Sequence, residues 1–415
     1  MVKKALRLLV YEHVSGGGFA SEPLSPSVLS EGFGMLRTLT ADFKAAGHTV
    51  TSTLDSRIAK LNPSIEADCV VPVSSSKEIQ ANLQKISSKT DAAYVIAPET
   101  GGVLRSLVEL IEQTNATSLN CSASAIEKVS NKAGFTDFLK KQGLPTPETL
   151  MFSVLDNVAE VNRAIRGRLN FPLLFKPSDG VSCCGLSVVR NEDQVAGAIA
   201  KIKQASSSKM FLVQELVTGV PASVCLFSTG SKTMPVSLNR QEVNLDAPEA
   251  CSAYSGGSVP FTHSHRSEAF KAAEKIVKSF PELRGYVGVD FVLTEDKVVA
   301  LEVNPRLTTS YVGLRKVVGF NPAQAIINAI LKCELPTNIE SCGYAYFSKV
   351  NVPNPQVAAL QKTYSMSDVV SPPFPLSETI AASALIASHG ATLKEAKSRF
   401  SEAKKRVLNT INRGK

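Results

Sequence analysis

Gly288-Val289-Asp290-Phe291-Val292-Leu293, followed by Val299-Ala300-Leu301-Glu302-Val303-Asn304-Pro305-Arg306, decides how this chain is read. Both stretches alternate as strands, and the polar break Thr294-Glu295-Asp296-Lys297 turns one back on the other. Glu302 and Asn304 lie two residues apart and share a face, with Val299, Leu301 and Val303 on the other. Asp290, between Val289 and Phe291, also projects away from the apolar side chains. Two carboxylates and an amide on a rigid hairpin make an oxygen platform that suits Mg²⁺, a hard ion usually completed by phosphate oxygens. The competing reading is a half-exposed hairpin with acidic residues facing water, so the upstream sequence has to decide.

The 415 residues suffice for two or three domains, and 44% apolar with 20% charged residues describes an ordinary folded protein. Ala5 to Val10 follows two lysines but is too short for a secretory leader and ends at Tyr11-Glu12-His13, so it reads as a buried first strand. No stretch is long enough to cross a bilayer, and a cytoplasmic protein is expected. The eight cysteines are scattered without a CxxC pair, which argues against a zinc site or a disulfide framework. Cys183-Cys184 read as small loop residues. The net charge of +8 is diffuse. Its densest part, from Lys394 onward, carries Leu393, Ala396, Phe400, Ala403, Val407 and Ile411 as a helical stripe, with Thr392 and Glu395 as a capping box. The cations then fall on the solvated side. No interleaved aromatics accompany them, so neither a nucleic-acid partner nor a membrane is expected.

Short buried strands are expected at Leu6–Tyr11, Thr49–Leu54, Cys69–Val73 and Ala92–Ala97, with helices at Val28–Ala46, Lys77–Ile86 and Val103–Gln113 between them. This alternation predicts a parallel sheet with crossover helices, whose ligands collect beyond the strands' carboxyl ends. Ser15-Gly16-Gly17-Gly18 and Pro98-Glu99-Thr100-Gly101-Gly102 fall at such ends. The first is either a weak phosphate loop or a plain glycine turn. Glu99 is either a partner for an incoming ammonium or a carboxylate favoured at a helix start. After Cys121 the pattern changes. A helix begins at Asn131-Lys132 and ends near Gly143. An apolar strand then delivers Lys176, and Gly180 and Gly185 make a loop able to fold its amides over phosphates. Gln214-Glu215 follow on the next strand, and Glu268–Phe280 reads as a helix. His263-Ser264-His265 is a polar loop or half of a metal site lacking a third ligand. No internal repeat is present.

Taken in order, Lys132, the Lys176 strand and loop, Gln214-Glu215, Asp290 and Glu302-Val303-Asn304-Pro305-Arg306 resemble the ATP-grasp superfamily of carboxylate–amine ligases, from about Ala125 to Val312. The resemblance implies an α/β protein with two α+β subdomains clasping ATP, preceded by a Rossmann-like parallel-sheet domain. The expected division is 1–122, 123–335, and a C-terminal α+β segment 336–415. It makes Lys132, Lys176, Gly180, Gly185, Gln214, Glu215 and Val217 nucleotide-binding, and Asp290, Glu302 and Asn304 ligands of Mg²⁺, with Mn²⁺ as a substitute. Arg306, Lys176 and Arg240 become the catalytic cations. Many members place a ribose-holding glutamate where this chain has Pro221, so that contact must come from elsewhere. Tyr11-Glu12-His13-Val14-Ser15-Gly16-Gly17, Ala97-Pro98-Glu99, Leu238-Asn239-Arg240-Gln241 and Leu307-Thr308-Thr309-Ser310-Tyr311 look most like the tyramine–glutamate ligase group of methanofuran biosynthesis.

The implied chemistry is phosphorylation of a carboxylate by ATP to an acyl phosphate, which an amine then attacks. Small-molecule carboxylate and amine substrates are the implied partners, and the sequence does not fix the oligomeric state. Ser178–Gly185 and Ala253–Gly257 are expected to close over the site. Two alternatives remain at this point. One is an amino-acid or peptide ligase, or a carbamoyl-phosphate-type carboxylate kinase, of the same fold; the other is a non-catalytic nucleotide-binding regulator.

Overall fold

Three sheets carry the chain in a computed structural model that describes residues 5–179, 183, 185–206, 208–337, 339–353, 355–376 and 381–412. The first is wholly parallel: β1 (Arg7–Glu12), β2 (Thr49–Asp55), β3 (Cys69–Val73), β4 (Ala92–Ile96) and β5 (Thr117–Ser118). Helices Pro26–Ala45, Ile79–Ser87 and Val103–Glu112 cross from β1 to β2, β3 to β4 and β4 to β5, much as the alternation predicted. Its order, β3-β2-β1-β4-β5, reverses direction between β1 and β4. The crevice of such a sheet therefore opens beyond Glu12 and Ile96.

The second sheet is small and antiparallel: β6 (Thr149–Ser153), β7 (Leu173–Pro177), β8 (Ser187–Val189) and β9 (Met210–Glu215), in the order β6-β9-β7-β8. Leu173, Phe175, Phe211 and Val213 turn to a core of their own, with Val161, Ile165 and Ile199 from helices Val158–Arg166 and Val195–Ala205. Strand alternation then turns Lys176 and Gln214 to the opposite face.

The third sheet has eight antiparallel strands: β10 (Val220–Ser228), β11 (Thr233–Asn244), β12 (Ala253–Val259), β13 (Gly285–Leu293), β14 (Val298–Asn304), β15 (Tyr344–Val352), β16 (Val369–Ser371) and β17 (Ala382–Gly390). They run in the order β14-β13-β10-β11-β12-β15-β17-β16. Strands from both sides of residue 335 thus share one sheet. Helix Pro26–Ala45 binds the first sheet to the third: Phe33 and Leu36 enter one core with Phe347 and Leu385, and Gly34 lets the backbone approach, since a Cβ there would meet Leu385 Cδ2 at 2.8 Å. On the other face lie helices Arg266–Lys278 and Leu393–Asn412. The expected stripe Ala396, Phe400, Ala403, Val407 and Ile411 is buried there. Thr392 Oγ1 accepts from the Glu395 amide, while the Glu395 carboxylate reaches the Ala391 amide instead of its own cap residue.

The deciding hairpin forms as β13 and β14, with one correction. The register pairs Asp290 with Glu302 but Phe291 with Ala300, leaving Leu301 as a bulge. Strict alternation would set Val299, Leu301 and Val303 together. Instead Val298, Ala300 and Val303 share the core and Leu301 is only half-buried. The extra residue re-phases the strand, which frees Glu302 and Asn304 for the open face while both ends of β14 stay anchored.

Candidate active site

Asp290 and Glu302 face each other across β13 and β14, and a donor holds each Asp290 oxygen. Gln241 Nε2, from β11, gives to Oδ1 at 3.1 Å, and Asn304 Nδ2 gives to Oδ2 at 3.0 Å. Burial, then the facing Glu302 charge, pushes the Asp290 carboxyl up to about 7. Burial alone would raise Glu302 as well, but Lys132 and then Lys176 hold it below its ordinary range. The Lys132 ammonium stands 3.3 Å from Glu302 Oε2. It leaves a helix, Lys132–Lys141, whose start is capped by Asn131 Oδ1 accepting from the Gly134 amide. Lys176, buried at the end of β7, is brought down to about 8 by burial and by the neighbouring Lys132, against the pull of Glu302 and Asp290.

Beyond this cluster Arg306 spans two sheets. Its Nε and Nη2 each donate to one Glu99 oxygen at 2.9 Å, and Nη1 donates to the Leu307 carbonyl at 3.1 Å. Burial works against its charge, but Glu99 foremost, with Glu302 and Asp290, keeps it firmly protonated. Glu99 follows β4, so the N-terminal sheet delivers a carboxylate to the cation next to the paired acids. Glu99 does stand at the head of a short helical turn, Thr100–Gly102, but its side chain makes no cap there; both oxygens go to Arg306 as half of a bidentate ion pair, so no open ammonium site is seen.

The other expected residues fall unevenly. Gln214 is buried and gives its Nε2 to Thr149 Oγ1 at 2.7 Å; Glu215, next along, is exposed, and Val217 is half-buried in the link to β10. Gly185 has φ +74°, and a Cβ there would meet Pro177 Cγ at 2.9 Å, so this turn needs glycine. Gly180 lies outside the described residues. Arg240 is a correction. Gln241 points at Asp290, so its strand neighbour points to the opposite face, and the exposed Arg240 guanidinium lies 5.9 Å from the Phe261 ring centre. The Ser15–Gly18 turn folds on itself, with Ser15 Oγ donating to Glu12 at 2.6 Å. His263 and His265 stack at 5.6 Å, and His265 pairs with Glu268.

Gln241 escaped sequence reading although it stands next to Arg240; only the pairing of β10 with both β11 and β13 brings it to Asp290. Two further contacts were invisible. Glu31 accepts from Lys349 at 2.6 Å and from Thr309 Oγ1 at 2.9 Å. Asp179, beyond Lys176, accepts from the Gly101 amide at 3.0 Å and from Thr100 Oγ1 through its carbonyl, joining the small sheet to the turn after Glu99.

Lys132 at the head of a helix, Lys176 on the small sheet, Asp290 and Glu302 on the large sheet and Glu99 from the parallel domain, paired with Arg306, thus form one charged cluster where the three meet. Residues 129–310 match the ATP-grasp domain, and residues 48–126 match the pre ATP-grasp 3 domain. The tyramine–L-glutamate ligase of Methanocaldococcus fervens is 31% identical over 310 residues, covering 74% of this chain and 89% of that one. Its counterpart from Methanocaldococcus jannaschii is 29% identical, covering 74% and 84%. The carboxyaminoimidazole ribonucleotide synthase of Aspergillus clavatus, crystallised with ATP, superposes with a TM-score of 0.68 at 16% identity, covering 98% of this chain and 99% of that one; this likeness concerns the fold alone. The chain belongs to the ATP-grasp family, as one of its ATP-dependent carboxylate–amine ligases. Among the described residues no helix is long and apolar enough to cross a membrane.

Proposed function

We propose that this enzyme joins L-glutamate to an amine such as tyramine through an acyl phosphate, with Mg²⁺ bound beside ATP, and that it works in the cytoplasm, where ATP is supplied. The observation that carries the reading is a line of alternating charge. Lys132 and Lys176 stand at one end, Glu302 and Asp290 in the middle, and Arg306 with Glu99 at the other. A nucleotide entering between the small and large sheets would put its terminal phosphates against the lysines. The acceptor carboxylate would then lie toward Arg306, near the crevice of the parallel sheet. In this division residues 1–122 present the acceptor side, 123–335 bind the nucleotide, and 336–415 complete the large sheet behind it.

The donor set fits Mg²⁺: Asp290 and Glu302 offer carboxylate oxygens, and Asn304, whose Nδ2 is turned to Asp290, offers its amide oxygen. Among the described residues no three His, Cys, Asp or Glu side chains converge, so nucleotide oxygens would complete the shell. Held by Asp290, Glu302 and Asn304, such an ion would supply positive charge against the charge that develops on the phosphates in transfer. Lys132, Lys176 and Arg306 supply fixed positive charge, and Gln214 to Val217 would border the base. The segment from Asp179, which is bonded to the turn after Glu99 in the parallel domain, to Gly185 would shut water out.

ADP release measured with ATP, Mg²⁺ and L-glutamate across a panel of amines, with Glu302→Gln as control, tests this reading. Release that needs both glutamate and one amine, and that vanishes in the variant, supports it. Tight ATP binding without glutamate-dependent turnover on any amine would refute the substrate assignment.

A further inference from the structure

Glu99 is anchored in one sheet and paired in another. Its carboxylate is only 13% exposed, and both oxygens are spent on Arg306. Gly101 and Gly102, at φ +61° and +70°, turn the chain back at once and hold the carboxylate at the crevice between β1 and β4. The other acid of that crevice, Glu12, is not available: it is 2% exposed and accepts from the Val14 and Ser15 amides and from Ser15 Oγ. Arg306 also lies in the field of Asp290 and Glu302. It is a cation shared between the place where phosphate charge gathers and a carboxylate just beyond. A buried carboxylate that loses its guanidinium must find another cation, because leaving it bare is costly.

We propose that Glu99 is the amine-binding residue and proton acceptor of the reaction, masked by Arg306 until the acyl phosphate forms. This rests on the ligase reading above. The phosphate group of the acyl phosphate draws the guanidinium away, and Glu99 pairs with the incoming ammonium R–NH₃⁺. One proton passes from that nitrogen to a Glu99 oxygen. The freed lone pair forms the C–N bond to the acyl carbon. The bond from that carbon to the phosphate oxygen breaks with its electron pair, and the nitrogen's second proton leaves with the phosphate as HPO₄²⁻. Amine binding is therefore ordered last, since its carboxylate is occupied in the free enzyme.

The test compares two nucleophiles. Hydroxylamine is already neutral near neutral pH and needs no proton acceptor, whereas an alkylammonium does. With ATP, Mg²⁺ and L-glutamate, Glu99→Gln is expected to slow amide formation by about a hundredfold or more, within the range of general-base effects. Hydroxamate formation should fall at least about tenfold less. KM for the amine should rise and KM for ATP should not. Glu99→Asp, which keeps the charge, must show the same split in smaller measure, and replaces the Gln variant if that one does not fold. Equal losses in the two reactions would reduce Glu99 to a structural partner of Arg306 and overturn the assignment alone. A wild-type enzyme that makes no hydroxamate would overturn the substrate reading and this assignment with it.

Discussion

Replacing Gln241 with Leu removes the donor to Asp290 Oδ1 and leaves Asn304 alone on Oδ2. A hydrogen bond to a charged acceptor contributes about 1.5–3 kcal/mol, which corresponds to about 1–2 pKa units. The Asp290 carboxyl already stands at about 7, so in the variant it should stand at about 8–9. At about pH 7.5 its ionised share would drop from roughly three-quarters to somewhere between a quarter and a few per cent. If Asp290 holds Mg²⁺ as proposed, the ion needs its ionised form, and initial ADP release at limiting Mg²⁺ should fall about 3- to 25-fold there. The loss should shrink to about fourfold or less near pH 8.5, where the raised carboxyl ionises again. The quantity to follow is the ratio of variant to wild type across this range, because other titrations then cancel. A ratio that stays constant with pH would refute the clamp, and Gln241 would be a packing residue only.

Lys176 gives a stability test of opposite sign. Below about pH 8 the folded and unfolded chains both hold its proton and the burial penalty is fully present; between about 8 and 10.5 only the unfolded chain does, so stability rises with pH. The gain is about 3 kcal/mol, and Lys176→Met should flatten it in urea titrations; an unchanged slope would contradict a depressed lysine. A Cβ on Gly288 would meet Thr308 Cγ2 at 2.7 Å. Thr308 is tied to Tyr286 and Ser310, so Gly288→Ala should cost about 1–3 kcal/mol and lower kcat with little change in KM for ATP. An unaltered melting temperature would mean that the segment after Arg306 yields freely. Phe400→Ala, on the far face of the large sheet, should cost about 3 kcal/mol yet leave activity per folded molecule intact.

The elements were legible because their periods are local. The alternation over 288–293 and 299–305 belongs to neighbours in sequence, and so do the cap at Asn131 and the stripe from Ala396 to Ile411. Lys132, Lys176, Asp290, Glu302, Asn304 and Arg306 were legible as candidates, but the geometry that gathers them was not. The bulge at Leu301 depends on which residue of β13 faces which of β14, and no residue type announces it. Arg240 drew attention through its charge, whereas the neutral Gln241 beside it makes the contact, a choice settled by strand phase. Glu31 with Lys349, and Glu99 with Arg306, join positions some 318 and 207 residues apart. Such pairs arise only when the parallel domain docks on the large sheet, and a single sequence holds no trace of that docking.

The order of strands in the large sheet also constrains how the chain can be made. β12 has β11 on one side and β15 on the other, and about 85 residues separate the end of β12 from the start of β15. During synthesis from the N-terminus, β10 to β14 can assemble first, with β12 left as a bare edge. That edge offers unpaired amides and carbonyls to any other nascent chain until Tyr344–Val352 emerges. A shortened protein ending near residue 335 would retain every carboxylate and lysine of the site and still be prone to aggregate through that edge.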